Sequence, residues 1–170
     1  STFWEYVKAE QYYFNYRQNS EEQWLDKMIA TLYRPARKNY DKYQDEDIRV
    51  PLNETATRFH LKEVAKLDIE TKLSILMWFD SCRLQLTKHF PKIFPAPVAI
   101  TDTEVKPVPQ KALNPQVQWL QLISETAGTM ENYRKVADTN LIIAFTDITH
   151  RITKNEKARQ EAAKRARTKR

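Results

Sequence analysis

Glycine is almost absent from this sequence. Gly128 is the one glycine among 170 residues. Phosphate-binding loops, dinucleotide-binding turns and the nucleophile turns of α/β hydrolases need glycine where the backbone approaches a ligand or adopts a positive φ. The composition therefore argues against nucleotide-dependent enzymes built on such loops and against α/β hydrolases.

Cysteine and long apolar runs are equally scarce. Cys82 is the single cysteine, so no disulfide can form within the chain, which favours a reducing compartment. The longest apolar runs, ILMWF and LIIAF, are far shorter than the roughly 20 residues of a membrane helix. The N-terminus shows no basic start followed by an apolar region, so no signal peptide is expected. We therefore expect a cytoplasmic protein that has no membrane partner.

The excess of positive over negative charge lies at the C-terminus. The chain has a net charge of +6, and residues 153–170, TKNEKARQEAAKRARTKR, account for the whole excess. A basic tail can bind phosphate backbones, keep a protein soluble or bind an acidic protein surface. No reading helix is evident, so nucleic acid is expected as a partner only through this tail. The residues that would make either contact are Lys164, Arg165, Arg167, Lys169 and Arg170.

Apolar residues recur at helical spacing along most of the chain, and only the short stretch PVAITDTEV weakly suggests a strand. This pattern predicts an all-α fold, with one helical domain at 1–152 and a basic tail at 153–170. The tail is a solvated helix end, a docking arm or disorder. The five or six predicted helices span 2–18, 20–33, 53–67, 69–90, 115–127 and 138–152. Two long loops separate them, 34–52 and the proline-rich 91–114.

Local signals predict where the helices begin and which of them is central. Thr2 and Glu5 have the spacing of a capping box, and so do Ser20 and Gln23. From Leu73 to Phe79 the chain is apolar nearly all round, which is typical of a buried helix. We therefore expect the helix at 69–90 to lie at the centre of the core.

The first helix holds seven of the nineteen aromatic residues. At 100° per residue, Tyr6, Tyr13 and Tyr16 gather on one face of it. Either this helix packs on both sides within its own domain, or the tyrosine face binds a partner protein. Stacking on nucleic-acid bases is a third use, but it is poorly supported because the helix carries only Lys8 and Arg17 as cations.

No constellation of a catalytic or metal site is visible. The three histidines are scattered without ligand spacing. Cys82 beside Arg83 could be an activated thiolate, but a cysteine in the middle of an apolar helix is more often a small core residue. Asp45–Asp47 are consecutive and have no nearby glycine, so an acidic turn facing cations is favoured over a calcium loop. We predict no catalytic residue, no cofactor and no metal, and hence no enzyme.

Six segments taken in order carry a resemblance to a known family. They are FWEYVKAEQYYFNY, WLDKMIATLYRP, DEDIRVPLNE, KLSILMWFDSCR, FPKIF and WLQLISETAG. Together they resemble the small α-helical proteins encoded just before the tape measure in some tailed phages and prophages of gut bacteria, the tail assembly (tape-measure) chaperones. The resemblance spans roughly residues 3–150 and does not include the basic tail.

The resemblance implies a non-enzymatic assembly factor of the host cytoplasm. Such a chaperone covers the apolar-striped helices of the tape measure protein and helps to recruit tail tube subunits; self-association is a further option. The segment between Thr31 and Asn53 is then an ordered docking or hinge loop. The partner-binding residues so implied are Tyr6, Tyr13, Tyr16, Tyr33, Arg34, Tyr40, Tyr43 and Arg49.

Two alternatives stay open at the level of sequence. One is a virion structural protein, such as a tail-completion or connector subunit, which would remain in the finished particle. The other is a nucleic-acid-associated packaging protein that acts through residues 153–170, whose binding would weaken steeply with salt.

Overall fold

The computed structural model describes residues 1–42, 47–94 and 115–168, apart from the side chains of 115–116 and 167–168. No strand occurs over these residues, and one isolated antiparallel bridge joins Ala36 to Arg49. The all-α prediction is confirmed, with seven described helices instead of five or six. The helices are α1 (Phe3–Asn19), α2 (Glu22–Leu32), α3 (Glu54–Val64), α4 (Ile69–His89), α5 (Pro115–Ala127), α6 (Met130–Asp138) and α7 (Leu141–Thr168).

The extra helix is α6, which occupies most of the segment between the helices predicted at 115–127 and 138–152. It also moves the start of the last helix, because Asp138 ends α6 instead of opening α7. Asn140 precedes α7, and its side-chain oxygen accepts a hydrogen bond from the Ile142 amide at 3.0 Å. α7 then continues through the basic segment to Thr168, and its side chains are exposed from Lys154 onward wherever they are described.

One of the two predicted capping boxes forms. The Thr2 hydroxyl accepts from the Glu5 amide at 3.2 Å, and the Glu5 carboxylate accepts from the Thr2 amide at 3.1 Å. The prediction of a capping box at Ser20 and Gln23 was wrong, since no side chain caps the start of α2. Ser20 instead ends α1 in the left-handed region (φ 55°), where its amide donates to the Tyr16 carbonyl at 2.7 Å. The chain needs this positive φ to leave the helix, and no glycine is there to supply it.

Two compact units make up the chain, Ser1–Cys82 and Arg83–Arg170. In the first unit α1 packs on α2, and the side of α4 that faces them carries Phe79. The Phe79 ring lies 6.3 Å from that of Tyr6 and 5.8 Å from that of Tyr13. The predicted end of the domain at residue 152 stays a prediction.

The second unit is organised by an aromatic cluster. Trp119 of α5 stacks on Phe145 of α7 with 5.8 Å between centroids and 9° between planes. Phe90 and Phe94 meet Phe145 edge-on at 5.3 and 5.7 Å. Phe145 and Ile148 are buried, as the apolar spacing of the last helix predicts. The proline-rich segment lies outside the described residues from position 95 to 114, and so does PVAITDTEV.

The prediction of a buried central helix was wrong for α4. Lys72, Leu76 and Phe79 are buried on the side that meets α1 and α2, whereas Met77 is 71% exposed. Apolar residues all round a helix do not say how many neighbours cover it. α4 therefore presents an apolar face to solvent.

Candidate functional site

The connector after α2 is tied to the beginning of α1 by four charged side chains, Glu5, Arg34, Asp47 and Arg49, which we call the Glu5 cluster. Arg49 Nη2 lies 3.0 Å from Glu5 Oε2 and 2.7 Å from Asp47 Oδ2. Arg34 pairs with the other Glu5 oxygen and lies 3.4 Å from Asp47 Oδ2. The side chains of Glu5 and Arg34 are only 4% and 6% exposed. The cluster thus joins helix and connector through buried ion pairs.

Backbone hydrogen bonds hold the two ends of the connector together beside this cluster. The Arg37 amide donates to the Ile48 carbonyl at 2.8 Å, and the Val50 amide donates to the Pro35 carbonyl at 2.9 Å. Arg34 Nη1 adds a bond to the Val50 carbonyl at 2.6 Å. The described ends of the connector are therefore paired as in a hairpin. Residues 43–46 lie outside the described residues.

The ionisation of the cluster follows from its pairing. Hydrogen bonds from the Arg49 side chain are the largest cause that lowers the pKa of Asp47, to about 2. The same bonds raise the pKa of Arg49 above its usual value. Burial lowers the pKa of Arg34, and the neighbouring Glu5 carboxylate opposes that shift. Asp47 and Arg49 therefore stay charged at neutral pH, and the ion pairs persist.

A second buried charge holds α4 to α2. Lys72 is 1% exposed, and its Nζ lies 2.6 Å from Glu22 Oε1 and 2.7 Å from Asp26 Oδ1. Burial lowers the Lys72 pKa, but the hydrogen bonds with Asp26 and Glu22 outweigh burial, so that the pKa is raised. The sequence analysis missed this residue. The sequence does contain an indication of its burial. Leu76 and Phe79 follow Lys72 by four and seven residues, so all three lie on one side of the helix.

The tyrosine face of α1 is not a surface in this structure. Tyr6 and Tyr13 are buried against Phe79, and the Tyr6 hydroxyl donates to the buried Glu10 at 3.0 Å. Tyr16 is half-buried. In this structure α4 covers the face on which Tyr6 and Tyr13 lie, and that these two residues bind a partner stays a prediction. The sequence left open whether this face packs within the domain or binds a partner, and in this structure Tyr6 and Tyr13 pack within the chain.

The loop residues predicted to bind a partner fall into two groups. Arg34 and Arg49 are engaged by the carboxylates of the Glu5 cluster, so they tie the loop down and do not present a free surface. Tyr33 and Tyr40 are exposed, and Tyr33 meets Trp78 edge-on at 6.1 Å. Tyr43 lies outside the described residues.

An exposed apolar surface lies on α4. Ile69, Leu73 and Met77, which we call the α4 stripe, are four residues apart and fall within 80° on the helix. They are 48%, 38% and 71% exposed. On another side of the same helix, Tyr33 and Trp78 help to line an open cleft of about 610 Å³ with Asp68 and Glu70. The sequence predicts that these apolar residues belong to the core, and the structure places them at the surface.

The basic residues of the C-terminus are placed in part. Lys164 and Arg165 are exposed on α7, and Arg167 belongs to the same helix. Lys169 and Arg170 lie outside the described residues.

The described residues bring together no catalytic constellation. Burial raises the pKa of the Cys82 thiol, which is the opposite of what an activated thiolate requires. Over the described ranges, no group of three or more histidine, cysteine or acidic side chains is arranged to hold a metal ion. None of the helices described is long and apolar enough to cross a membrane.

Comparison with known proteins adds no family to this description. No family model, no curated protein and no solved structure matches the chain. The functional argument therefore depends on the surfaces and clusters described above.

Proposed function

We propose that this chain is a non-enzymatic tail assembly chaperone that binds the tape measure protein of a tailed phage and helps the tail tube to assemble around it. The observation that supports a helix-binding role is the α4 stripe, three apolar side chains exposed on successive turns. The chaperone would act in the host cytoplasm and be absent from the finished virion.

The geometry of the stripe suits a helical partner. Ile69 and Met77 are eight residues apart, which is about 12 Å along the helix axis. An amphipathic helix presents apolar residues at matching intervals of three and four residues, and it can lie along such a ridge. Met77 is well suited to varied partners because its side chain is flexible and polarizable.

The buried side of α4, which is adjacent to the stripe, keeps the stripe in place. Lys72, Leu76 and Phe79 are buried against α1 and α2, and Lys72 is held by two carboxylates of α2. A helix fixed in this way loses little freedom when a partner binds to its outer face. The arrangement favours a preformed binding surface on the first unit.

The decisive test is affinity purification of the tagged chain from cells that express its own genomic neighbourhood. Mass spectrometry would identify the partners and would also measure the chain in purified particles. A long, helical tape-measure-like partner together with absence from particles would support the proposal. Stoichiometric presence in particles would overturn it in favour of a tail-completion or connector subunit.

The second candidate function is binding of nucleic acid through α7. The observation that favours it is a basic helix whose described side chains are all exposed from Lys154 onward. Recovery of partners that is lost on nuclease treatment would favour this candidate over the chaperone. Its binding would weaken steeply with salt and would disappear when the chain is truncated at Thr153.

A further inference from the structure

We propose that a cleft between α1, α2 and the start of α3 binds a nucleotide unit, a planar base with its phosphate, either free or as part of a single-stranded nucleic acid. The cleft has a volume of about 570 Å³, within the usual range for small-ligand pockets. Eleven residues of the first unit line it: Trp4, Lys8, Tyr12, Lys27, Thr31, Leu52, Asn53, Glu54, Thr57, Arg58 and Leu61.

Three cations from three different helices converge on this cleft. They are Lys8 of α1, Lys27 of α2 and Arg58 of α3. Within the described part of the chain, none of the three has a carboxylate as an ion-pair partner. Glu54 is the single carboxylate in the lining, so the cleft carries a net charge of +2. An anionic group would satisfy these cations.

Aromatic rings lie directly beside the cations. Lys8 Nζ is 5.0 Å from the ring centroid of Trp4, and Lys27 Nζ is 4.1 Å from that of Trp24. Tyr12 stacks on Trp24 at 6.2 Å with 24° between the planes. Trp4 and Tyr12 are only half-buried, so the cleft offers partly open rings next to positive charge. Single-stranded nucleic acids are bound by this combination, with bases on aromatic rings and phosphates on cations.

The linear sequence could not point to this site. Base stacking was poorly supported there because α1 contributes only Lys8 and Arg17, and Arg17 lies in its last turn, outside the cleft. The fold adds Lys27 and Arg58 from other helices to the rings of α1. No glycine-rich loop is needed, because side chains and not backbone amides provide the positive charge.

The lining favours a nucleotide over an acidic peptide. Peptides usually gain affinity from main-chain bonds along a sheet edge or from an apolar groove that takes a helix. Neither is described for this cleft, whose lining combines polar side chains such as Thr57 and Asn53 with aromatic ones. An acidic peptide is therefore treated as the competing outcome.

The test measures fluorescence anisotropy of a short labelled oligothymidylate with the full-length chain. We expect Lys27→Gln and Arg58→Gln each to weaken binding about five- to tenfold, the usual loss for one charge-assisted contact. Glu54→Gln should tighten binding because it removes the one repelling carboxylate. The matched control is Arg17→Gln, the same change of charge on an exposed residue outside the cleft, which should change binding less than twofold. Circular dichroism would verify that each variant is folded.

Competition with unlabelled ligands tells whether the cleft binds a free nucleotide, a single-stranded nucleic acid or an acidic peptide. Displacement by thymidine monophosphate would support a free nucleotide, and binding of the strand alone would support a single-stranded nucleic acid. Displacement by polyglutamate but not by the mononucleotide would overturn the proposal in favour of an acidic peptide. Equal losses for Arg17→Gln, or loss only in Lys164→Gln/Arg165→Gln, would overturn it in favour of diffuse charge or the α7 end. Absence of any binding at low salt would also overturn it.

Discussion

Arg49 and Glu5 are 44 positions apart in the sequence, yet their side chains form an ion pair of 3.0 Å between Nη2 and Oε2. The same carboxylate also completes the capping box of α1 with Thr2. Glu5 therefore serves two purposes, since it caps the start of α1 and holds a distant loop against this helix. The stability of the loop and that of α1 are linked through this one side chain.

Replacing Glu5 by glutamine should destabilise the fold strongly. Glutamine keeps the shape and can still bond to the Thr2 amide, but it leaves Arg34 buried without its main counter-charge. Removing one partner of a buried ion pair typically costs about 3–5 kcal/mol. Urea unfolding would measure the loss. The control, Glu63→Gln, breaks an exposed pair with Lys66 and should cost less than about 1 kcal/mol. Equal losses in the two variants would contradict the role of Glu5.

Replacing Lys72 by methionine should also lower the free energy of unfolding. The apolar stem is retained, but Asp26, whose side chain is only 15% exposed, loses its cation. We expect a loss of about 2–4 kcal/mol. A double-mutant cycle with Asp26→Asn tests the cause, since the second change should then cost much less than it does in the wild type. Additive losses would show that the pair is not coupled.

The stability of the protein should fall at low pH partly through Asp47. The pKa of this carboxyl is about 2 in the fold against an ordinary value of 3.8, because Arg49 binds its ionised form. A lowered pKa means that the contribution is complete above about pH 4 and is lost as pH falls towards 2. Thermal melts of the wild type and of Asp47→Asn should therefore differ at pH 5 and converge near pH 2. A constant difference across this range would contradict the assignment.

Gly128 should tolerate asparagine better than alanine. It follows α5 with φ +68°, and its amide donates to the Ser124 carbonyl at 3.0 Å. A Cβ at this position would meet nothing within 4 Å, so the cost of alanine comes from the backbone alone. We expect Gly128→Ala to cost about 1 kcal/mol and Gly128→Asn less, because asparagine enters the left-handed region more readily. Thermal unfolding of the two variants and of the wild type would measure both losses, and a larger loss for Gly128→Asn than for Gly128→Ala would contradict the prediction.

A charge placed on the α4 stripe should abolish binding of the partner while leaving the fold intact. Met77→Glu puts a carboxylate on the most exposed residue of the stripe, and this position accepts the charge at little cost to stability. Ser74→Glu is the matched control, since it adds the same charge to an exposed position 60° beyond the stripe. Co-purification of the partner with each variant is the measurement. Equal recovery with both variants would remove the stripe as the binding surface.

Much of the helical structure could be predicted because its causes are local. The Thr2–Glu5 capping box and the spacing of Phe145 and Ile148 depend on residues within one or two turns of each other. Errors arose where a local signal had a competing use. Ser20 has the chemistry of a helix start, but it ends α1 because the chain must turn there.

The candidate sites were less accessible from sequence because they are made of residues far apart in the chain. Arg34 and Arg49 were identified as important, but only the fold shows that their charges are turned inward to Glu5. Lys27 and Arg58 could not be assigned to a site from the sequence, since nothing in the local spacing brings them to Trp4.

The all-α class, most helix positions and the excess of positive charge at the C-terminus follow from the order of residues alone, since periodicity, capping and composition are properties of neighbouring residues. The tertiary structure alone decided which side of α4 is covered, and hence that Tyr6 and Tyr13 are core while Met77 is surface. The physical reason is that burial depends on which helix packs against which. That choice follows from contacts between distant segments, here Phe79 with α1 and Lys72 with α2.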